Sequence, residues 1–284
     1  MIPGRDNGSA QPAMLNAAQL IGTHDVLLIT LDTLRYDVAE GALARGLTPN
    51  LGRLLPGGHW ELRHSPGSFT FAAHAAFFAG FLPTPARPGK HPRLFAARFA
   101  GSETTDERTC VFDAPDIVSG LAEREYFTYC IGGVGFFNKQ TPLGCVLPGL
   151  FSESVWSEDL GVTSPTSTER QVALACDKLR RLRWPNRFFL FLNVSALHQP
   201  NCIFAPPATE DSPESQAAAL AYVDRSLPPL FAALASRGPC LCLVMSDHGT
   251  AYGEDGYYGH RVAHPVVWNV PYAEFVLPAR GSET

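Results

Sequence analysis

The sequence has no apolar run long enough to cross a bilayer. Its strongest hydrophobic segments, residues 26–29 and 188–192, fall far short of the roughly 20 residues that a spanning helix needs. No continuous apolar stretch follows Arg5, because Asn, Gln, Pro and Gly break up the first 22 residues, so neither a secretory leader nor a membrane partner is expected. Closely spaced CxxC pairs are also missing. Seven cysteines, an odd number without such a pair, suit reduced and mostly buried thiols, and the expected location is cytoplasmic. Cys240 and Cys242 alternate with apolar residues and read as core thiols before they read as ligands. Positive charge is scarce: 22 Lys and Arg against 27 Asp and Glu give a net charge of −5, which argues against a nucleic-acid binder. The densest basic run is Lys178, Arg180, Arg181, Arg183 and Arg187, read as the solvated face and end of a helix. No internal repeat is present, and the oligomeric state is left open.

What remains is a globular composition of 284 residues, 45% hydrophobic, with 25 Gly and 24 Pro for turns. That length suits one domain over 1–284, with 1–22 as a flexible lead-in. Residues 25–31 form an apolar strand ending at Asp32. Pro49 opens a short helix with Leu51, Leu54 and Leu55 inward, and Thr70 opens a second over 70–79, closed by Gly80 and Pro83. Strands are predicted at 126–134, 188–194 and 239–245, with a polar loop over 135–144. Residues 169–182 carry a helical stripe of Val172, Cys176, Leu179 and Leu182, ended by Pro185. A longer helix over 214–233, with Leu220, Val223, Leu227, Leu230 and Phe231 inward, should kink or divide at Pro228 and Pro229. Buried strands alternating with covering helices predict a mostly parallel α/β sheet with helices on both faces. The edges between 84 and 125 are not set by the sequence.

Three polar clusters sit where such a sheet builds sites: Asp32 after the first strand, Thr70 at a helix start, and Asp247-His248 after a late strand. Two carboxylates, an imidazole and a hydroxyl are a donor set for a borderline divalent ion. The same residues have plainer readings, Asp32 as a turn cap and His248 as a polar residue before Gly249.

Several stretches carry a resemblance: DVLLITLDTLRYD at 25–37, LTPNLGRLL at 47–55, TFAAHAAFFAG at 70–80, FFLFLNVSALHQP at 188–200, SDHGTAYGEDGYYGH at 246–260 and NVP at 269–271. In this order the chain resembles the alkaline phosphatase and sulfatase superfamily, particularly its short sulfatase-like members. The resemblance implies an alkaline phosphatase-like α/β fold with its site at the carboxyl ends of the strands. It implies Asp32, Asp247 and His248 as metal ligands and Thr70 as the metal-bound nucleophile. The second adjacent aspartate of classical sulfatases is Thr33 here. His198 matches a histidine that contacts the transferred group, and His260 one near the leaving group; either is also a candidate for a second ion. One ion, Zn²⁺ or Mn²⁺, is expected and a second is left open.

The departures matter as much. Thr70-Phe71-Ala72-Ala73-His74 lacks the convertible Cys or Ser and the following Pro and Arg of classical sulfatases, so formylglycine chemistry is not expected. His74 stands where sulfatases place that arginine and is expected to face the site, with a packed helix histidine as the alternative. Lys139, beside Asn138, is a candidate for binding the non-bridging oxygens. His264 is assigned a turn cap before Pro265, Asp37 a salt-bridge role, and Asp224 a helix-surface anchor. The expected function is a metal-dependent hydrolase or phosphotransferase of a phosphate- or phosphonate-type ester, small or peptide-linked, using a threonine nucleophile. The alternatives are a sulfatase-like hydrolase or mutase and a non-catalytic metal-bearing scaffold.

Overall fold

The computed structural model describes residues 15–80, 116–182 and 186–281. Pro83, Arg183, Pro185, the first 14 residues and most of 84–125 therefore lie outside the described residues. The strands are β1 (Asp25–Leu31), β2 (Glu61–His64), β3 (Tyr126–Ile131), β4 (Glu153–Val155), β5 (Arg187–Val194), β6 (Cys240–Met245), β7 (Ala251–Tyr252), β8 (Tyr258–Gly259) and β9 (Asn269–Leu277). The helices are α1 (Ala17–Leu20), α2 (Tyr36–Ala44), α3 (Pro49–Gly52), α4 (Thr70–Ala79), α5 (Ile117–Ala122), α6 (Pro142–Val146), α7 (Ser167–Arg181), α8 (Pro213–Ser226), α9 (Pro228–Arg237) and α10 (Pro265–Trp268).

Seven strands form one sheet in the order β2-β9-β6-β1-β5-β3-β4, and β7 pairs with β8 in a separate hairpin. Strand β1 runs parallel to β5 on one side and to β6 on the other. Strand β9 runs against both its neighbours in this sheet, pairing antiparallel with β6 and β2. This is the mostly parallel α/β sheet that the hydrophobic runs predict. All of β1 is buried because its alternating side chains enter two cores. Leu27, Ile29 and Leu31 pack with residues of α2, α7, α8 and α9. Val26 and Leu28 pack with Phe78 of α4, Val118 and Leu121 of α5, and Phe189 and Phe191 of β5. Each fully buried Phe or Leu here contributes about 1.5–3 kcal/mol.

Local sequence explains most boundaries. The 214–233 helix is divided as predicted: Leu227 ends α8 and Pro228 begins α9, where its missing N–H is not needed. Helix α4 spans the predicted 70–79, and Gly80 closes it at φ 69°. Strand β3 stops at Ile131 rather than 134, because the chain then turns under β5. A Cβ on Gly133 would meet the Asn193 carbonyl at 2.3 Å, so only glycine allows that turn. The 135–144 loop holds more structure than predicted, with α6 capped by the Thr141 hydroxyl, which accepts from Gly144 N at 3.0 Å.

Asp224 is a correction. It lies buried inside the fold, not on a helix surface. Its carboxylate accepts from the backbone N–H of Asn50 (3.2 Å) and Leu51 (2.7 Å) and from Asn50 Nδ2 (2.9 Å). It thus satisfies, from α8, the open N-terminal donors of α3. The basic run is only partly a helix face: on α7, Lys178 pairs with Glu153, and Arg180 and Arg181 pair with Asp177. Arg187 is a correction, since it begins β5 with Nη1 3.9 Å from the buried Asp25 carboxylate. Cys240 and Cys242 are fully buried, and the cysteines among the described residues are all free thiols. No helix among the described residues is long and apolar enough to cross a membrane.

Candidate metal centre and its pocket

The site lies at the carboxyl ends of the two central strands. Asp32 follows β1, its N–H bonded to the Val194 carbonyl of β5 at 3.2 Å. Asp247 and His248 follow β6 by way of Ser246, whose hydroxyl donates to the His248 carbonyl at 2.7 Å. One ligand atom from each of Asp32, Asp247 and His248 lies within 4.8 Å of the others, and all three residues are buried. His248 Nδ1 donates to the Gly249 carbonyl at 2.8 Å, which leaves Nε2 as the lone-pair nitrogen facing the carboxylates. Gly249 is required there, since a Cβ would meet the Val266 carbonyl at 1.9 Å.

Thr70 is the first residue of α4 and does not cap its own helix. Its Oγ1 instead lies 3.5 Å from Asp32 Oδ2 and 3.3 Å from His248 Nε2. The four residues that the sequence singles out as ligands and nucleophile are thus in one place. Thr33, at the classical second-aspartate position, is turned away, its hydroxyl donating to the Leu197 carbonyl at 3.0 Å.

The chemistry of this cluster calls for a cation. Asp32 Oδ1 and Asp247 Oδ2 are buried without any hydrogen-bond partner. Burial, then the neighbouring Asp247 charge, pushes the Asp32 carboxyl up to about 6. Burial pushes Asp247 up to about 7 against the N–H groups that favour its ionised form. Two adjacent carboxylates, each with an orphaned oxygen, gain most from a divalent ion of borderline softness, so the residues present fit one.

Above Thr70 opens a pocket of about 240 Å³, lined on one side by Val134, Phe136 and Leu143 and on the other by His198 and His260. The His260 ring centroid lies 4.7 Å from that of His248 and 5.7 Å from that of His198. Burial, followed by the charges of His248, His198 and Arg261, lowers His260 to about 3, so its ring is neutral. His198 Nδ1 donates to the Gln199 carbonyl at 2.7 Å. The larger groove of about 730 Å³ between α7 and α9 shares no residue with this site.

Two predicted residues do not join the pocket. His74 is fully buried, packed edge-on against Phe77, Phe137 and Phe191. Its Nδ1 donates to the Thr70 carbonyl at 2.7 Å and its Nε2 accepts from Thr30 Oγ1 at 3.0 Å. Burial lowers it to about 3, so it offers no charge and no free nitrogen to an anion. It is the packed helix histidine. Lys139 Nζ donates to the Ser154 carbonyl at 3.1 Å, and Lys139 is not among the pocket walls. Asn138 serves its own loop, accepting from Gln140 N at 3.0 Å. His264 caps α10, accepting from Val266 N, and Asp37 pairs with Arg35.

The sequence reading missed Asn193. It is fully buried, and its Nδ2 donates to Asp32 Oδ2 at 3.1 Å and to Thr30 Oγ1 at 3.2 Å, while its Oδ1 accepts from Val134 N at 3.0 Å. An asparagine near the end of the otherwise apolar run FFLFLNV was the available signal.

No protein-family model and no curated protein matches the chain. Solved structures do. The C-terminal periplasmic domain of phosphoethanolamine transferase EptC from Campylobacter jejuni matches with a TM-score of 0.60 at 14% identity, over 89% of this chain and 80% of that one. The lipoteichoic acid synthase LtaP from Listeria monocytogenes matches with a TM-score of 0.58 at 11% identity, over 92% of this chain and 66% of that one. A protein of the alkaline phosphatase superfamily from Vibrio parahaemolyticus matches with a TM-score of 0.57 at 18% identity, over 90% of this chain and 60% of that one. With its strand order and the likeness to these structures, the chain has the alkaline phosphatase-like α/β fold.

Proposed function

We propose that the chain is a metal-dependent hydrolase or transferase of phosphate-type esters with Thr70 as its nucleophile. The observation that carries this reading is the placement of Thr70 Oγ1 at 3.3 Å from His248 Nε2 and 3.5 Å from Asp32 Oδ2, in the pocket that His198 and His260 also line. A divalent ion held by Asp32, Asp247 and His248, Zn²⁺ or Mn²⁺ by donor type, would make the Thr70 alkoxide accessible and offset charge on the transferring oxygens. Thr70 Oγ1 gives its proton to solvent water and attacks phosphorus in line with the leaving ester oxygen, which takes a proton back from water as it departs. The phosphorus–oxygen bond to that group breaks and a phosphothreonine remains. Water or an acceptor alcohol then attacks phosphorus and restores the threonine hydroxyl. His198, on the pocket wall, packs beside the transferring group. His260, held neutral, donates its one N–H to the leaving oxygen rather than acting as a charged acid.

The charges favour a diester. The carboxylates of Asp32 and Asp247 balance a divalent ion, and among the described residues no Lys or Arg lines the pocket. A monoanionic diester fits that balance better than a dianionic monoester. The likeness to a phosphoethanolamine transferase and a lipoteichoic acid synthase agrees with phosphoryl transfer. The test is metal analysis of the purified protein beside turnover of aryl phosphodiester, phosphomonoester, phosphonate and sulfate esters. Metal-dependent turnover fastest on the diester is expected. Turnover of sulfate alone, or a folded metal-loaded protein that turns over none of the four, contradicts the proposal.

A further inference from the structure

We propose that Gln216, on α8, is a positioning residue that sets which oxygen of Asp247 faces the metal site, acting through the backbone conformation of Thr33. This rests on the metal-centre reading above.

Gln216 is fully buried and both ends of its amide are used. Nε2 donates to the Thr33 carbonyl at 2.9 Å, and Oε1 accepts from the Arg35 N–H at 3.3 Å. A carbonyl only accepts and an N–H only donates, so these partners fix the orientation of the amide. Gln216 therefore grips the β1 exit loop on both sides of Leu34.

That loop needs holding. Thr33 sits at φ 63°, a left-handed conformation that a β-branched residue strongly disfavours. In this conformation its N–H donates to Asp247 Oδ1 at 3.2 Å, beside the N–H of His248 on the same oxygen at 3.0 Å. Two donors on Oδ1 leave Oδ2 as the oxygen without a partner. The N–H of this disfavoured residue thus orients a carboxylate far away in sequence, and Gln216 fixes the residue from its other side, at the Thr33 carbonyl. Thr33 stands next to Asp32, so the same grip spaces the two carboxylates. Partners of this kind, one step removed from the ligands, typically change metal affinity by about 10–100-fold when lost.

The test is the Zn²⁺ dissociation constant of the full chain, measured by competition with a chromophoric chelator, with thermal stability of the metal-free protein recorded alongside. Gln216→Leu removes both bonds. Gln216→Glu, isosteric, keeps the acceptor for Arg35 N and sets an oxygen against the Thr33 carbonyl. Both variants are expected to bind Zn²⁺ at least about tenfold more weakly than wild type. Thr33→Gly keeps the N–H and adopts the same φ freely, and it is expected to bind within about threefold of wild type. Gln216 variants that melt earlier yet bind Zn²⁺ like wild type would show a structural role only and overturn the proposal. A Thr33→Gly loss equal to that of Gln216→Leu overturns it too, because the hydroxyl and not the backbone conformation would then be at work. A wild type that takes up no ion contradicts the metal centre itself, and this inference with it.

Discussion

The ring of His74 donates from Nδ1 to the carbonyl of Thr70 at 2.7 Å, tying the first turn of α4 to the core. The proton directions behind that bond follow in sequence. Asn193 Nδ2 donates to Thr30 Oγ1, the Thr30 hydroxyl donates to His74 Nε2, and His74 passes its one N–H to Thr70. The other N–H of the Asn193 amide holds Asp32 Oδ2. One buried chain of polar groups therefore links Thr70 to Asp32, with Asn193 donating toward both ends.

His74→Phe should keep the aromatic packing and lose this link. Leaving the Thr30 hydroxyl without its acceptor costs about 1–3 kcal/mol of stability. Turnover should fall while metal content stays near wild type. Chemical denaturation and metal analysis of the same preparation check both halves. Unchanged turnover contradicts the positioning role.

Asn193→Leu removes the donor on Asp32 and leaves the Val134 N–H unpaired. Metal affinity should drop by about 10–100-fold. Chelator competition reads the change, and an affinity equal to wild type would show that Asp32 needs no orienting partner.

Metal uptake should depend on pH in a direction set by the two carboxyls. Asp32 is pushed up to about 6 and Asp247 up to about 7, both above their ordinary values. In the metal-free protein below about pH 6 both hold protons, and binding must displace them. Affinity should therefore rise between about pH 5 and pH 8, with proton release on Zn²⁺ addition at pH 5.5 and almost none at pH 8. The same raised values favour the metal-free fold below about pH 4, an advantage lost as pH rises toward 7. Calorimetry in two buffers of different ionisation enthalpy measures the protons released. Equal release at both pH values contradicts the assignment.

Asp224→Ala should separate stability from function. The carboxylate that accepts three N–H groups of α3 is lost, at about 2–3 kcal/mol, while the metal centre keeps all its residues. A lower melting temperature with unchanged Zn²⁺ affinity is the expected result.

The strand β1 and the residues that follow it were legible because a central strand is apolar on both faces and stops abruptly at a carboxylate. Pro and Gly marked α3, α4 and the break between α8 and α9 for the same reason that they shape the backbone there. Strand β9 was not legible as such: its burial varies along its length, since it lies one strand in from the sheet edge. The candidate ligands Asp32, Asp247 and His248 were visible as residue types at strand ends. The inward turn of His74 was not, because a helix that packs on both sides offers no periodicity to say which face meets the site. The position of Lys139 was not legible for a simpler reason: its side chain reaches β4, a pairing that a three-residue strand barely signals. Asn193 and Gln216 act through partners more than 150 positions away, and spacing along the chain carries no trace of them.

The central claim is a covalent threonine. It is tested most directly by mass spectrometry of protein quenched during turnover of an aryl phosphodiester, with peptide mapping of residues 66–80. A phosphoryl-type adduct on Thr70, retained activity in Thr70→Ser, and loss of both adduct and turnover in a folded Thr70→Ala are the predicted results. Full activity in Thr70→Ala, or an adduct on another residue in the wild type, would contradict the account.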